Sequence, residues 1–153
     1  MLTVSDGVAA GQRTDESGPA VSRLLSEAGF EVSDVAVVPD ERQRIAGFLL
    51  GRCADHDLIV TTGGTGLAVR DVTPEATRSV IAYEVPGLGE LMRSAGVAST
   101  PLAALSRALA GVRDHTLIVN LPGSPKGARE SLTAILPTLG HAVQLLKGET
   151  RHS

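Results

Sequence analysis

The sequence predicts an α/β fold with a mostly parallel β-sheet and helices on both of its faces. Three short apolar runs, rich in β-branched residues and closed by turn residues, are typical of strands that helices cover on both faces. They span residues 35–39 (VAVVP), 57–62 (DLIVTT) and 116–122 (TLIVNLP). Segments with helical spacing lie between them, and this alternation indicates strand–helix–strand units with right-handed crossovers.

The N-terminal part of the chain supplies a further strand and a helix. The strand is the short stretch LTVSD near the start. The helix is expected to have Ser17 as its N-cap, Pro19 in its first turn and Gly29 just past its end. Four residues share its apolar face at helical spacing: Val21, Leu24, Leu25 and Ala28.

Three later helices have recognisable starts. Asp40 is the predicted N-cap of the first, because Gln43 three residues later completes a capping-box pattern. Pro74 and Pro137 are predicted to open the other two, since proline suits the first helical turn. Residues 86–111 are rich in alanine and leucine, and their pattern does not separate helix from short strand.

Composition and charge limit the classes of function. Hydrophobic residues make up 42% of the chain and aromatic residues 2%, so an aliphatic core is expected. The formal net charge of −3 argues against nucleic-acid binding, which needs a basic face. Cys53 is the only cysteine, which excludes an internal disulfide and a cysteine-rich zinc site. No apolar run approaches bilayer length and no signal peptide is recognisable. A cytoplasmic protein without membrane contact, forming one domain over residues 1–153, is therefore expected.

A glycine-rich loop lies where an α/β sheet binds ligands, beyond the carboxyl end of a strand. In TTGGTGLAVRD, the residues Gly63, Gly64 and Gly66 allow consecutive amides to point into one anion-binding concavity. A tight turn would need only two of them. Leu67 excludes a P-loop, which has lysine there, and Val69 excludes the dinucleotide fingerprint, which has a third glycine. Phosphate binding by another type of loop is the favoured interpretation.

Two aspartates also follow strand ends. Asp71 precedes a helix start that Thr73 as N-cap and Pro74 already explain. It is either a carboxylate stabilised by the helix dipole, by about 0.3–1 kcal/mol, or a ligand of Mg²⁺. The metal role is favoured, because Mg²⁺ is usually held by one or two carboxylates together with substrate phosphates. For Asp40, the spacing is equally compatible with helix capping and with a role in the cleft.

Two further segments each leave a structural and a functional interpretation open. Residues 120–130 (NLPGSPKGARE) are either a rigid strand-to-helix turn or a turn in which Ser124 and Lys126 meet a phosphate. Ser106 and Arg107 interrupt an apolar stretch and are, on spacing alone, a solvent-facing pair. The histidines have no ligand spacing and no serine lies in a nucleophile elbow, so a zinc site and a catalytic triad are both disfavoured.

In their order along the chain these motifs resemble the molybdopterin adenylyltransferases of molybdenum cofactor biosynthesis (the MogA/MoaB type). The likeness spans nearly the whole chain and rests on TVSDG, PDE, DLIVTTGGTG, RDVTPEAT, VPGLGELMR, LSRALAG and LIVNLPGSPKG. The resemblance implies a three-layer α/β/α sandwich that assembles as a homotrimer. It implies a reaction that transfers AMP from ATP to the terminal phosphate of molybdopterin and releases pyrophosphate, with Mg²⁺ required. The product would pass to a molybdate-insertion enzyme.

The resemblance also implies roles for individual residues. Asp40 and Asp71 match the essential aspartates, as catalytic and metal-binding residues, with the alternative that one of them orients the molybdopterin phosphate. The phosphate- and nucleotide-binding loop falls on Gly63, Gly64, Thr65 and Gly66. Molybdopterin binding falls on Ser5, Asp6, Ser106, Arg107, Pro122, Gly123 and Ser124. A non-catalytic molybdopterin-binding paralogue, acting as carrier or scaffold, is the alternative function.

The chain departs from the family pattern near its start. Family members usually carry several more apolar residues before LTVSD, so a sheet that is short at this strand, or a natural start further upstream, is expected. Gly7 stands where a basic residue is common, which leaves that position without a phosphate contact.

Overall fold

The computed structural model describes residues 1–149, which form a mixed six-stranded sheet covered by helices. The strands are β1 (Leu2–Val4), β2 (Ala36–Val38), β3 (Leu58–Thr62), β4 (Tyr83–Glu84), β5 (Ala110–Arg113) and β6 (Thr116–Leu121). The helices are α1 (Asp6–Ala9), α2 (Ser17–Glu27), α3 (Arg42–Arg52), α4 (Thr73–Arg78), α5 (Pro86–Val97) and α6 (Pro125–Leu146), with a 3₁₀ turn at Pro101–Leu105. Residues 150–153 of the expected domain lie outside the described part.

The sheet has the strand order β2-β1-β3-β6-β5-β4. The first four of these strands run parallel, and β5 and β4 are antiparallel to their neighbours. The predicted α/β fold with a mostly parallel sheet is confirmed, and all four predicted strands are present. The first is short, as expected: β1 has three residues, although it lies between β2 and β3.

Helices cover both faces because alternate residues of a strand point to opposite sides of the sheet. Ile59 and Ile118 face α3 and α4 in one buried cluster. Their neighbours Val60 and Val119 face α2, α5 and α6 in the other. The largest fully buried side chains are aliphatic or methionine, which confirms the expected aliphatic core. None of the helices within residues 1–149 is long and apolar enough to cross a membrane.

The two antiparallel strands fall in or beside the segment that the sequence left unassigned. β4 has two residues and β5 contains Gly111, so neither carries the apolar alternation of a strand. Gly111 is required by the pairing itself, since a Cβ there would lie 2.8 Å from the carbonyl oxygen of Tyr83. The remainder of the segment forms α5 and the 3₁₀ turn.

Three predicted helix caps are wrong, because each side chain has another partner or no capping bond. The residue at the N-cap position of α3 is Glu41, and Asp40 instead accepts a hydrogen bond from the amide of Asp6. Ser17 is the first residue of α2, and Asp15 binds the amide of Gly18 in its place. Thr73 likewise begins α4, and its hydroxyl bonds to the loop before it. Gly29 ends α2 as predicted, with a left-handed φ of 95°.

Pro137 does not open a helix, which corrects a second expectation. It lies inside the 22-residue α6, which begins at Pro125. Ile135 and Leu139, on either side of it, are fully buried against the sheet. Their packing holds the helix continuous, although proline lacks the amide that would bond to the carbonyl of Thr133.

Replacing this internal proline tests that explanation. Pro137→Ala restores the missing backbone hydrogen bond and removes the clash of the ring with the preceding turn, which stabilises the folded protein. It also gives the unfolded chain more conformational freedom, which offsets part of this gain. The free energy of unfolding should therefore rise by about 1–2 kcal/mol. Pro125→Ala is the matched control, at a position where proline is favourable, and should lower stability by about 0.5 kcal/mol. Urea unfolding of both variants measures the difference. A Pro137→Ala variant no more stable than the parent would show that the explanation is wrong.

Candidate functional site

A cleft opens at the sheet edge where the chain changes direction. β1 and β3 are neighbours, but from β1 the chain continues to β2 on one side and from β3 it leaves toward the other side. Such a switch point leaves a crevice beyond the carboxyl ends of the two strands. Here the crevice is a cleft of about 470 Å³, which we call the polar cleft. Its lining includes Ser5, Asp15, Asp40, Gly63, Gly64, Asp71, Gly123 and Ser124.

The glycine loop runs along the floor of this cleft in a conformation that other residues rarely adopt. Gly63 and Gly64 both have left-handed φ angles, of 93° and 68°. A Cβ on Gly63 would overlap the carbonyl oxygen of Val4, and one on Gly64 would overlap the hydroxyl of Thr73. The two glycines therefore allow β3 to turn directly against the end of β1 and the start of α4.

Hydrogen bonds fix the carbonyls of this loop and leave its amides available. Thr73 donates its hydroxyl to the carbonyl of Gly63 (2.9 Å) and its amide to the carbonyl of Gly64 (3.1 Å). The amides of Gly64, Thr65 and Gly66 have no acceptor within residues 1–149. Adjacent amides held in this way form a site suited to an anion.

Asp40 is held in the cleft by a reciprocal pair of bonds with Asp6. The amide of Asp6 donates to Oδ2 of Asp40 (2.8 Å), and the amide of Asp40 donates to Oδ1 of Asp6 (3.0 Å). Arg70 neutralises Asp6 through two hydrogen bonds of 3.0 and 2.7 Å, which lower the pKa of Asp6. Burial raises the pKa of Asp40, and the negative charges of Asp6 and Asp71 add to this effect.

Asp71 lies on the other side of the glycine loop. It precedes α4 by two residues, so it is not the first-turn carboxylate that the dipole interpretation requires. Its Oδ2 accepts a hydrogen bond from the amide of Ala68 (3.0 Å) and lies 2.8 Å from where a Cβ on Gly66 would be. Oδ1 of Asp40 lies 3.1 Å from the corresponding Cβ position of Gly64. Both carboxylates therefore flank the same short loop and line the same cleft.

A second cavity adjoins the first. It has a volume of about 360 Å³, and we call it the apolar cavity because its exposed lining is mainly apolar, with Met92, Leu102 and Leu105 among the residues that line it. Thr65, Gly66, Ser106 and Pro122 also line it. Gly123 and Ser124 line both cavities, and Ser124 caps α6 by accepting a hydrogen bond from the amide of Gly127 (3.1 Å). The N-terminus of α6 therefore lies where the two cavities meet.

Most of the residues named from the sequence thus lie around one of the two cavities. Lys126 lies at the apolar cavity and is 3.8 Å from the carboxylate of Glu130. Asp6 and Arg107 line neither cavity, since Asp6 is bonded to Arg70 and Arg107 is bonded to the glycine loop. Arg107 is half-buried, so it is not simply solvent-facing.

Sequence reasoning missed several charged residues of the site, among them Asp15, Arg70 and Glu75. Asp15 lines the polar cleft and accepts hydrogen bonds from the hydroxyl of Thr3 (2.7 Å) and the amide of Gly18 (2.9 Å). Arg70 and Glu75 hold other site residues through ion pairs. Asp15 lies in the stretch SDGVAAGQRTDESGP, residues 5–19, which is long for a connection between a strand and a helix. That length is the only signal in the sequence that points to Asp15, because loops of this length are often functional. Arg70 and Glu75 both lie in the motif RDVTPEAT, but the sequence does not show which residues they form ion pairs with.

Comparison with known proteins assigns the family. Residues 1–141 match the family model described as a probable molybdopterin binding domain. The chain belongs to this family. It is 44% identical over 152 residues to the molybdopterin adenylyltransferase of Helicobacter pylori strain J99, covering 97% of this chain and 86% of that protein. It is also 38% identical to a molybdenum cofactor biosynthesis bifunctional protein of Synechococcus elongatus, covering 97% of this chain and 47% of that longer protein.

Solved structures agree with this assignment. The molybdopterin biosynthesis enzyme MoaB of Thermus thermophilus is 55% identical, with a TM-score of 0.91 over 96% of this chain and 94% of that one. A structure of MogA has the same TM-score at 39% identity, over 95% of this chain and 96% of that one. The three-layer α/β/α arrangement expected from the resemblance is therefore confirmed.

The raised pKa of Asp40 predicts a pH-dependent gain on neutralising it. The pKa of Asp40 is higher in the folded protein than in the unfolded chain, so the folded protein loses stability as the pH rises through this raised pKa. Below the ordinary pKa of aspartate, Asp40 is protonated in both states and that stability is retained. In EDTA, Asp40→Asn should therefore raise the Tm at pH 8 by about 1–3 °C, a small gain because partial exposure screens the charge. The gain should shrink as the pH is lowered toward 4.

Asp55→Asn is the control, because Asp55 is exposed and lies outside both cavities. It should leave the Tm within error at both pH values. Thermal unfolding followed by circular dichroism measures both variants. An equal change in the two variants, or a lower Tm for Asp40→Asn at pH 8, would contradict the interpretation.

Proposed function

We propose that this chain is a molybdopterin adenylyltransferase, which transfers AMP from ATP to the terminal phosphate of molybdopterin. The observation that carries the proposal is the junction of a polar cleft and an apolar cavity at one glycine loop. A reaction between two phosphorylated substrates needs two adjoining sites and a common place for their phosphates. The name of the related Helicobacter protein supports the same reaction, and that of the Thermus protein supports a role in molybdopterin biosynthesis.

The lining of each cavity suits one substrate. Met92, Leu102 and Leu105 offer apolar contact to a flat pterin ring in the apolar cavity. The polar cleft offers carboxylates and loop amides to the phosphates of ATP and the metal they carry. The phosphates then meet at Gly123, Ser124 and the N-terminus of α6, where the helix dipole favours negative charge. Ser5 belongs with the polar cleft in this arrangement, and Ser106 with the apolar cavity.

The chemistry needs no nucleophile from the protein. An oxygen of the terminal molybdopterin phosphate forms a bond to the α-phosphorus of ATP, and the bond from that phosphorus to the bridging oxygen breaks, releasing pyrophosphate. Transfer of this kind depends on positioning and charge stabilisation. In our proposal the amides of Gly64, Thr65 and Gly66 bind phosphate oxygens and hold the reacting groups in line.

Asp40 and Asp71 are the residues that would hold Mg²⁺. No group of three or more His, Cys, Asp or Glu side chains within residues 1–149 is placed to hold a metal ion, so phosphates would have to complete the coordination. The pair fits a cation that arrives with ATP, because burial and neighbouring negative charge raise the pKa of Asp40 and a cation would offset that cost. When bound, Mg²⁺ neutralises charge on the phosphates.

The alternative is a non-catalytic molybdopterin carrier with the same fold. The carboxylates that line the polar cleft disfavour it, since a carrier has no use for the electrostatic cost at Asp40 beside its ligand. We further propose that the chain acts in the cytoplasm as one domain, assembles as a homotrimer and passes its product to a molybdate-insertion enzyme. The longer bifunctional relative from Synechococcus, which contains a segment similar to this chain, is consistent with such a transfer.

Removing Asp71 tests the proposed reaction. With molybdopterin, ATP and Mg²⁺, the parent protein should release pyrophosphate, and Asp71→Ala should lower kcat by about 100-fold or more because charge stabilisation at the α-phosphate of the transferred AMP is lost. A coupled pyrophosphate assay measures the rate, and thermal unfolding verifies folding. The exposed control Asp55→Ala should keep the parental rate. Pyrophosphate release at the parental rate by Asp71→Ala would refute the role of Asp71.

The parent protein itself distinguishes the two functions. Molybdopterin binding without pyrophosphate release, in the presence of ATP and either Mg²⁺ or Mn²⁺, would favour the carrier over the enzyme.

A further inference from the structure

Arg107 directs its side chain into the protein, beneath the glycine loop. Its Nε donates to the carbonyl of Gly66 (2.9 Å), and its Nη2 donates to the carbonyl of Asp71 (2.7 Å). Its Nη1 forms an ion pair with the carboxylate of Glu75. Its backbone amide donates to the carbonyl of Thr65 (2.8 Å). Two nitrogens of the guanidinium are therefore bonded to the segment that carries the glycine loop and Asp71, and the third is bonded to Glu75 in α4.

These bonds hold both ends of the exposed part of that segment. Gly66 lies where the glycine loop leaves the polar cleft, and Asp71 lies where the chain returns toward α4. Between them, exposed residues such as Leu67 and Val69 supply no core packing, since their exposed fractions are 66% and 95%. The internal bonds of Asp71 to Ala68 close a turn but do not anchor it to the sheet. Arg70 ties the stretch to Asp6, but through an exposed ion pair at the surface. Arg107 provides the half-buried anchor, because it extends from the segment that leads into β5.

We propose that Arg107 is a positioning residue for Asp71 and the glycine loop, with Glu75 as its fixed counter-charge, and not a contact to molybdopterin. This inference rests on the proposed function, in which Asp71 holds the metal that arrives with ATP. It replaces the ligand-binding role that the family resemblance implied for Arg107.

Glu75 fits the role of a counter-charge built into the fold. It lies in the first turn of α4, one residue after Pro74, so its backbone is fixed. The hydrogen bond from Arg107 lowers the pKa of Glu75 and keeps it ionised. Its Oε2 is buried and has no hydrogen-bond partner within residues 1–149, so Arg107 provides the charge that compensates this carboxylate. Removing either partner leaves the other without its compensating charge.

The geometry requires arginine specifically. The guanidinium bonds to three acceptors, two carbonyls and a carboxylate, through three different nitrogens in a planar fork. Lysine has a single nitrogen and cannot reach all three acceptors at once. Arg107→Lys should therefore keep the charge but lose the positioning, whereas a site that needed only a positive charge for a phosphate would tolerate lysine.

Kinetics separate positioning from ligand contact. If Arg107 positions Asp71, Arg107→Met should lower kcat by about 10- to 100-fold, as expected for misplacement of a catalytic group, and should leave the KM for molybdopterin within about two-fold. In an Asp71→Ala background the same change should lower kcat by less than about two-fold, because residues that act as a unit are not additive. Arg107→Lys should fail to rescue the rate.

The matched control is Arg78→Met. Arg78 lies in the same helix as Glu75, but it is exposed and pairs with Glu84 away from both cavities. It should leave kcat and KM unchanged. A rise in the KM for molybdopterin at constant kcat in Arg107→Met would overturn the inference in favour of direct contact. So would an equal loss of kcat in the parental and the Asp71→Ala backgrounds.

A structural readout keeps the inference testable if the variants are unstable or the proposed function fails. An inactive parent protein would refute the proposed reaction alone. Hydrogen exchange of the amides of Asp71 and Thr73, which bond to Ala68 and Gly64, reports how firmly the segment is held without any substrate. Arg107→Lys should accelerate their exchange about ten-fold or more relative to amides of β6, whereas Arg78→Met should not. Unchanged exchange in Arg107→Lys would overturn the positioning role.

Discussion

The structure depends on the close approach of two left-handed glycines to the end of β1 and the start of α4. Gly63 and Gly64 place the chain so close to Val4 and Thr73 that no side chain fits there. This approach turns the loop carbonyls toward protein donors and leaves consecutive amides without an acceptor within residues 1–149. The loop thereby brings the polar cleft, the apolar cavity and the N-terminus of α6 together. In the proposed function a chain with net charge −3 binds phosphate in this way, because backbone dipoles supply the positive potential locally.

The same arrangement concentrates negative charge on the protein side. Asp6 and Asp40 bond reciprocally to each other's amides, and Arg70 forms its ion pair with Asp6. Asp40 is left partly buried near Asp71, a state that lowers stability and that the proposed Mg²⁺ would offset. Such a cost is common at functional sites, where charge is arranged for a substrate and the free protein is less stable as a result. This cost favours the enzyme over the carrier, because a carrier gains nothing from paired carboxylates.

Sequence patterns predicted the four parallel strands, the position of the glycine loop and the two aspartates that line the cleft, because these depend on local runs and on the rule that ligands bind at strand ends. They failed where a distant partner overrode a local preference. Asp40 bonds to Asp6 from another strand end and does not cap α3, and the helix continues through Pro137 because its neighbours are buried. Arg107 is the clearest case: its role depends on three acceptors far away in sequence, which no spacing rule identifies.

The proposed chemistry requires Asp40, Asp71 and the loop amides to act on one triphosphate. A crystal structure with Mg²⁺ and a non-hydrolysable ATP analogue would show whether they do. We expect Mg²⁺ at about 2.1 Å from oxygens of both carboxylates, with phosphate oxygens on the amides of Gly64, Thr65 and Gly66. Phosphates bound elsewhere, or a metal held without either aspartate, would refute the proposed site.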